Sequence, residues 1–184
     1  MTTLRELTKD NHTNAERQEF VKILFSGTID SKLYATYLYN QFFMYERLEE
    51  CVVPHGLLSN IPGILRTQAI RADFEELWGS DNEDRPKMCS VVKQYMDHIM
   101  KIKDDPKLLM AHLYVRHMGD LAGGQMIANK VPGAGKYYQF EDADSLKAAV
   151  RLKLDGSMAD EARVCFNFAT QLFKEMMEIA NTNK

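Results

Sequence analysis

The sequence predicts an all-α chain: one compact multi-helix domain spanning residues 1–184. Three observations carry that prediction. Apolar residues recur at spacings of three and four between recognisable helix caps, and no stretch sustains the alternation of a strand. With 184 residues, 45% of them hydrophobic, the chain is long enough to bury one sizeable core.

The elements follow in order. Thr3-Leu4-Arg5-Glu6 reads as a capping box, and Leu4, Leu7, Ala15, Val21 and Leu24 continue at near-helical spacing, so the first helix is expected over 4–25. Asp30 caps a second, long and aromatic, whose face of Tyr34, Tyr37, Gln41, Tyr45 and Leu48 runs to Pro54. A third is expected from Gly63 to Trp78, closed by a polar connection over 79–86. Met88 to Lys103 makes a fourth. Asp104-Asp105-Pro106 starts a fifth by placing proline in the first turn, and Val131-Pro132-Gly133 breaks the chain after it. A sixth segment begins near Asp142 and passes a bend at Asp155-Gly156 on its way to Ala180.

Bulk composition excludes several classes. The 23 basic and 26 acidic residues give a net charge of -3 without blocks of one sign, which offers no general affinity for nucleic acid or an anionic membrane. The N-terminus is too polar for a signal peptide, and no apolar run reaches the roughly 18 residues of a membrane span. Cys51, Cys89 and Cys165 are odd in number and far apart, as expected of free thiols in a reducing, cytoplasmic compartment. A soluble monomer without a membrane anchor is the expectation for the chain as given.

Among the histidines at 12, 55, 98, 112 and 117, only His12 has a suggestive partner at helical distance. Glu16 lies four residues on, where its carboxylate would accept a hydrogen bond from Nδ1 and leave Nε2 as a directed metal ligand. A plain surface His–Glu pair fits the same spacing. Arg5, two turns earlier, puts a cation on roughly the same side.

The stretch Arg116-His117-Met118-Gly119-Asp120-Leu121-Ala122-Gly123-Gly124-Gln125 places three glycines inside a helix, each costing about 1 kcal/mol against alanine. Two readings compete. Small residues let helices pack closely, but packing has no need of the third glycine. Alternatively the helix bends over a flat, bulky ligand with no Cβ in the way, and Asp120 organises water behind that surface.

These two motifs, about a hundred residues apart, resemble those of the heme oxygenases. His12-Thr13-x-Ala15-Glu16 is similar to the family's proximal-ligand segment, and Gly119-Asp120-Leu121-x-Gly123-Gly124-Gln125 to its distal-helix signature. The resemblance runs through the whole chain. It implies a heme sandwiched between a proximal helix and a kinked, glycine-rich distal one. His12 would be the iron ligand and Glu16 its orienting partner; Arg5, Lys147 and Arg151 would anchor propionates, Tyr114 would help at that edge, and Phe166 would pack near the porphyrin. Gly119, Gly123, Arg116 and Asp120 would form the catalytic distal side.

The implied reaction is cleavage of heme at the alpha meso carbon with O2, giving biliverdin, carbon monoxide and ferrous iron. Its electrons would come from an external ferredoxin or NADPH-dependent reductase, since the chain has no GxGxxG dinucleotide fingerprint. Three positions depart from the family pattern: His117 stands where tyrosine is familiar, Met118 where leucine is, and Ala122 where serine is usual. The last removes a hydroxyl from the distal side, and His117 is read as structural. A heme carrier and a cofactor-free helical interaction domain are the competing classes.

Overall fold

The computed structural model describes residues 2–79, 81 and 83–183, and no strand occurs among them. Ten α-helices form: α1 (Leu4–Leu7), α2 (Lys9–Glu16), α3 (Glu19–Phe25), α4 (Ser31–Val52), α5 (Thr67–Trp78), α6 (Ser90–Ile102), α7 (Pro106–Leu113), α8 (Gly119–Ile127), α9 (Ala143–Arg151) and α10 (Ala159–Thr182). A π-helical turn, Tyr114–Met118, joins α7 to α8. None of the described helices is long and apolar enough to cross a membrane.

The long helix α4 is central, packing against α5, α6 and α7, and it buries Tyr34, Leu38, Met44, Tyr45 and Leu48 essentially completely. At 1.5 Å per residue it is about 33 Å long. Helix α10 packs against α2, α3, α6 and α7 and also touches the π turn, so it bridges the N-terminal helices and the glycine-bearing segment.

The expected caps form. The Thr3 hydroxyl accepts from the Glu6 amide while the Glu6 carboxylate accepts from the Thr3 amide. The Asp30 carboxylate accepts from the amides of Lys32 and Leu33, and that of Asp105 from Lys107 and Leu108 ahead of Pro106.

The first helix departs from expectation and breaks into three pieces: the buried Thr8 hydroxyl donates to the Leu4 carbonyl at 2.9 Å, and Gln18 is extended at φ -63, ψ 141. Thr8 thus gives the Leu4 carbonyl a second donor beside its own amide at 3.1 Å, the back-bonding by which such side chains bend a helix. The second break re-aims the chain so that Phe20 and Leu24 fill the core while Val21 stays half-buried. The sixth segment starts from its Asp142 cap and turns at Asp155-Gly156 as expected, dividing into α9 and α10 with Leu152 left 89% exposed between them.

Candidate functional site

One side of the site is built on α2 and α10. His12 and Glu16 share a face of α2, both exposed, with Nε2 of His12 3.2 Å from Oε1 of Glu16. The nitrogen facing the carboxylate is therefore Nε2, not the expected Nδ1. The buried Phe166 of α10 meets the His12 ring edge-on at 5.7 Å, and Asn11 donates to Asn167 beside it at 3.3 Å. Helix packing thus brings His12, Glu16 and Phe166 together.

Arg116, Gly119, Asp120 and Gly123 lie on the α7–π–α8 run, whose π turn α10 touches. A single π turn inserts one extra residue per hydrogen-bonded ring, and such turns occur often at functional sites. Here it precedes the three glycines, which prove unalike. Gly119 and Gly123 face open space: a Cβ at either would meet nothing within 4 Å. A Cβ on Gly124 would stand 2.7 Å from Cδ1 of Tyr138. The third glycine is therefore the packing one, a reversal of the expectation, and the first and second leave backbone uncovered.

Asp120 points away from that open strip into a polar interior. Its Oδ2 accepts from the Tyr45 hydroxyl at 2.5 Å and its Oδ1 from the Tyr137 hydroxyl at 3.2 Å. Burial pushes its carboxyl up to about 6, although hydrogen bonds from Tyr45 and Tyr137 and the charges of His117 and Arg116 pull the other way. Burial, reinforced by the Asp120 charge, holds the Tyr45 hydroxyl well above the usual tyrosine range, so it remains a donor.

Arg116 is buried, with no carboxylate in ion-pair contact among the described residues. Its Nε donates to the Tyr95 hydroxyl at 2.9 Å and its Nη1 to Oε1 of Gln41 at 3.4 Å, while the guanidinium lies 4.2 Å from the Tyr95 ring centre and 5.6 Å from that of Tyr45. Arg116 and Asp120 are thus joined through Tyr45. Fully buried, His117 has its Nε2 2.8 Å from Oε2 of Glu49, a carboxylate that also accepts from the Arg66 amide, the Thr67 amide and the Thr67 hydroxyl. Burial works to raise the Glu49 carboxyl, and these donors, His117 foremost, bring it below its ordinary value.

Sequence reasoning missed the support of Tyr137. Its loop is held from α5: Asp73 accepts from the amides of Lys136 and Tyr137 at 3.0 and 2.8 Å, and the Arg66 guanidinium donates to the carbonyls of Tyr137 and Gln139 while capping the Phe140 ring at 3.8 Å. An isolated Arg and Asp seven residues apart carry no signal of this role. Tyr45 was read only as one residue of an apolar face.

The candidate anchors come from three separate elements. Half-buried Lys147 and exposed Arg151 lie on α9, which packs against α8 and the π turn; Tyr114 is half-buried at the start of that turn; Arg5 is exposed on α1, which adjoins α2. The structure does not bond these four to one another.

The heme oxygenase family model matches residues 1–175. Heme oxygenase 1 of Synechocystis sp. is 31% identical over 94% of this chain and 82% of its own length, and the heme oxygenase of Guillardia theta is 30% identical over 94% and 84%. The crystal structure of the Synechocystis heme oxygenase-1 in complex with heme superposes with a TM-score of 0.82 at 27% identity, covering 97% of this chain and 94% of that one.

Proposed function

This chain belongs to the heme oxygenase family, and on that premise we propose that it opens heme at the alpha meso carbon with O2 and external electrons, giving biliverdin, carbon monoxide and ferrous iron. The observation that carries the reading is the pairing of an accessible imidazole at His12 with backbone left open at Gly119 and Gly123. A flat macrocycle with a central iron takes a donor on one face, and glycine lets backbone approach the other closely. When bound, heme supplies both the iron that activates O2 and the carbon skeleton that is cut.

The chain's own residues have distinct tasks in this reading. His12 would hold the iron as a neutral imidazole, for which it must turn Nε2 away from Glu16 and offer Nδ1 in its place, so that the carboxylate then fixes the ring. Phe166 would bear on the same side. Gly119 and Gly123 would crowd O2 toward the ring edge with backbone alone. Arg5, Lys147 and Arg151, with Tyr114, would clasp propionates and so decide which meso carbon is presented.

Asp120 would handle protons. Held at Oδ1 and Oδ2 by two phenols and titrating near 6, its carboxyl can gain or lose a proton close to neutral pH without a change of position. Arg116, fixed on Tyr95 and Gln41, would hold Tyr45 in place through its ring. Ala122 contributes no hydroxyl. The proposal includes a single catalytic domain across residues 1–184, a cytoplasmic monomer, and an electron donor that is either a ferredoxin or an NADPH-dependent reductase.

Hemin titration followed by aerobic turnover tests the reading. The wild type should give a saturable Soret band that is lost, with appearance of biliverdin, once reductant and air are supplied. His12→Ala should alter the band, and added imidazole should restore it. A His12→Ala protein with the wild-type spectrum and no imidazole would overturn the ligand assignment; hemin bound but left intact by the wild type would make the chain a carrier.

A further inference from the structure

Away from the proposed heme face, three helices bring together side chains that neither the opening motifs nor the proposed chemistry uses. His98 of α6 and His112 of α7 both direct Nε2 at Oε1 of Glu161 in the first turn of α10, at 2.5 and 2.7 Å. The three ligand atoms lie within 4.8 Å of one another. From this geometry we propose a binding site for a divalent first-row transition metal ion of the zinc or ferrous type, held by His98, His112 and Glu161.

The donor set suits such an ion. Two imidazoles, borderline donors, favour zinc and iron over magnesium or calcium, and both metals accept a carboxylate as the third ligand. Around a tetrahedral ion with bonds of about 2.0–2.1 Å, ligand atoms stand roughly 3.3 Å apart, so the two short contacts need open by less than about 1 Å. Three protein ligands leave a position for water, and access exists: the His98 side chain is 25% exposed, against 12% for Glu161 and none for His112. The ligands come from three packed helices and not from a loop.

The outer contacts are those of a ligating histidine. Nδ1 of His112 lies 2.9 Å from the Tyr95 hydroxyl, which fixes the ring and leaves Nε2 aimed at the ion. An ion on Nε2 puts the remaining proton on Nδ1, so Tyr95 accepts from His112 as it already does from Nε of Arg116. Occupancy therefore sets the direction of the O–H of Tyr95, the residue that links His112 to Arg116.

The test uses the full chain without hemin, titrated with Co2+ for its visible d–d spectrum and with Zn2+ for its effect on thermal unfolding. One equivalent of Co2+ should give the spectrum of a low-coordinate site, and Zn2+ should raise Tm. His98→Ala and Glu161→Gln should each weaken binding at least about tenfold. His98 is partly exposed, so that variant should keep its fold, which its Tm without metal verifies. His12→Ala, which removes the exposed histidine–glutamate pair of α2, should retain the cobalt spectrum. Absence of a cobalt spectrum, undiminished affinity in His98→Ala, or loss of the spectrum in His12→Ala would each overturn the site.

Discussion

Alanine substitution at each of the three glycines separates a ligand surface from a packing contact. Gly119, Gly123 and Gly124 all sit in helical backbone, none with positive φ, so alanine meets no conformational penalty at any of them. In a helix interior the exchange gains about 0.5–1 kcal/mol. At Gly119 and Gly123 nothing opposes that gain, because the added methyl finds open space. At Gly124 it lands 2.7 Å from Cδ1 and 3.3 Å from Cβ of Tyr138, a 3% exposed residue whose ring is stacked on Tyr137 at 4.2 Å and cannot swing aside. Overpacking of this kind costs about 1–3 kcal/mol.

The net expectation is a Gly123→Ala protein more stable than wild type by up to about 1 kcal/mol and a Gly124→Ala protein less stable by about 1–2 kcal/mol. For a chain of this size each kcal/mol moves Tm by about 2–4 °C, so melts of the hemin-free protein followed by circular dichroism resolve the two. Hemin affinity should follow the opposite order. Gly124→Ala keeps the open strip and binds; Gly119→Ala and Gly123→Ala weaken binding or slow turnover, and Gly123→Leu abolishes binding while remaining folded. The reasoning is refuted if Gly123→Ala loses as much stability as Gly124→Ala, or if Gly123→Leu takes up hemin as the wild type does.

Four further outcomes follow from the same geometry. Because burial raises the Asp120 carboxyl from 3.8 to about 6, the folded state binds its proton more tightly than the unfolded one; this stabilisation is complete below pH 4 and is lost as pH rises through 6. Relative to Asp120→Asn, the wild type should therefore lose at most about 3 kcal/mol between pH 4 and pH 6.5, measured by urea unfolding; parallel curves would show that the carboxyl is not so held. Asp120→Asn should also bind hemin while producing less biliverdin. Charge reversal at Lys147 and Arg151 should change the biliverdin isomer ratio by chromatography, and a constant ratio would remove these residues from the anchoring role. His117→Phe takes one donor from the buried Glu49 carboxylate and should cost about 1–3 kcal/mol without altering hemin affinity; a changed iron spectrum would instead give His117 a direct part.

Signals confined to three or four residues were legible in the sequence. The capping box at Thr3–Glu6 and the caps at Asp30 and Asp105 each close a hydrogen bond within three residues, so the chemistry and its reach are both written locally. The break at Thr8 was not, because threonine is equally acceptable inside a helix and only its burial commits the hydroxyl to Leu4. At the candidate site, His12–Glu16 is a local pair and was found. Asp120 was noticed for its glycine neighbours, but the phenols that hold it lie 75 and 17 residues away. The His98–His112–Glu161 cluster spans 63 residues and needs three helices in register before any spacing means anything.

The glycines show why spacing alone could not divide ligand contact from packing. Adjacent helical residues point about 100° apart, so Gly123 and Gly124 cannot serve the same surface. Gly119 and Gly123, four apart, share a face, and it is this pair that the structure leaves uncovered, whereas Gly124 turns toward a tyrosine delivered by a loop that Asp73 and Arg66 hold in place. Packing therefore accounts for Gly124, and Gly119 with Gly123 are the members left free for a ligand surface. The loop carrying Tyr138 also carries Tyr137, so the contact that requires a glycine at 124 and the hydrogen bond that steadies Asp120 arise from one anchored segment. Loosening that segment, by Asp73→Asn for example, should disturb stability and proton handling together while leaving the His12 side untouched.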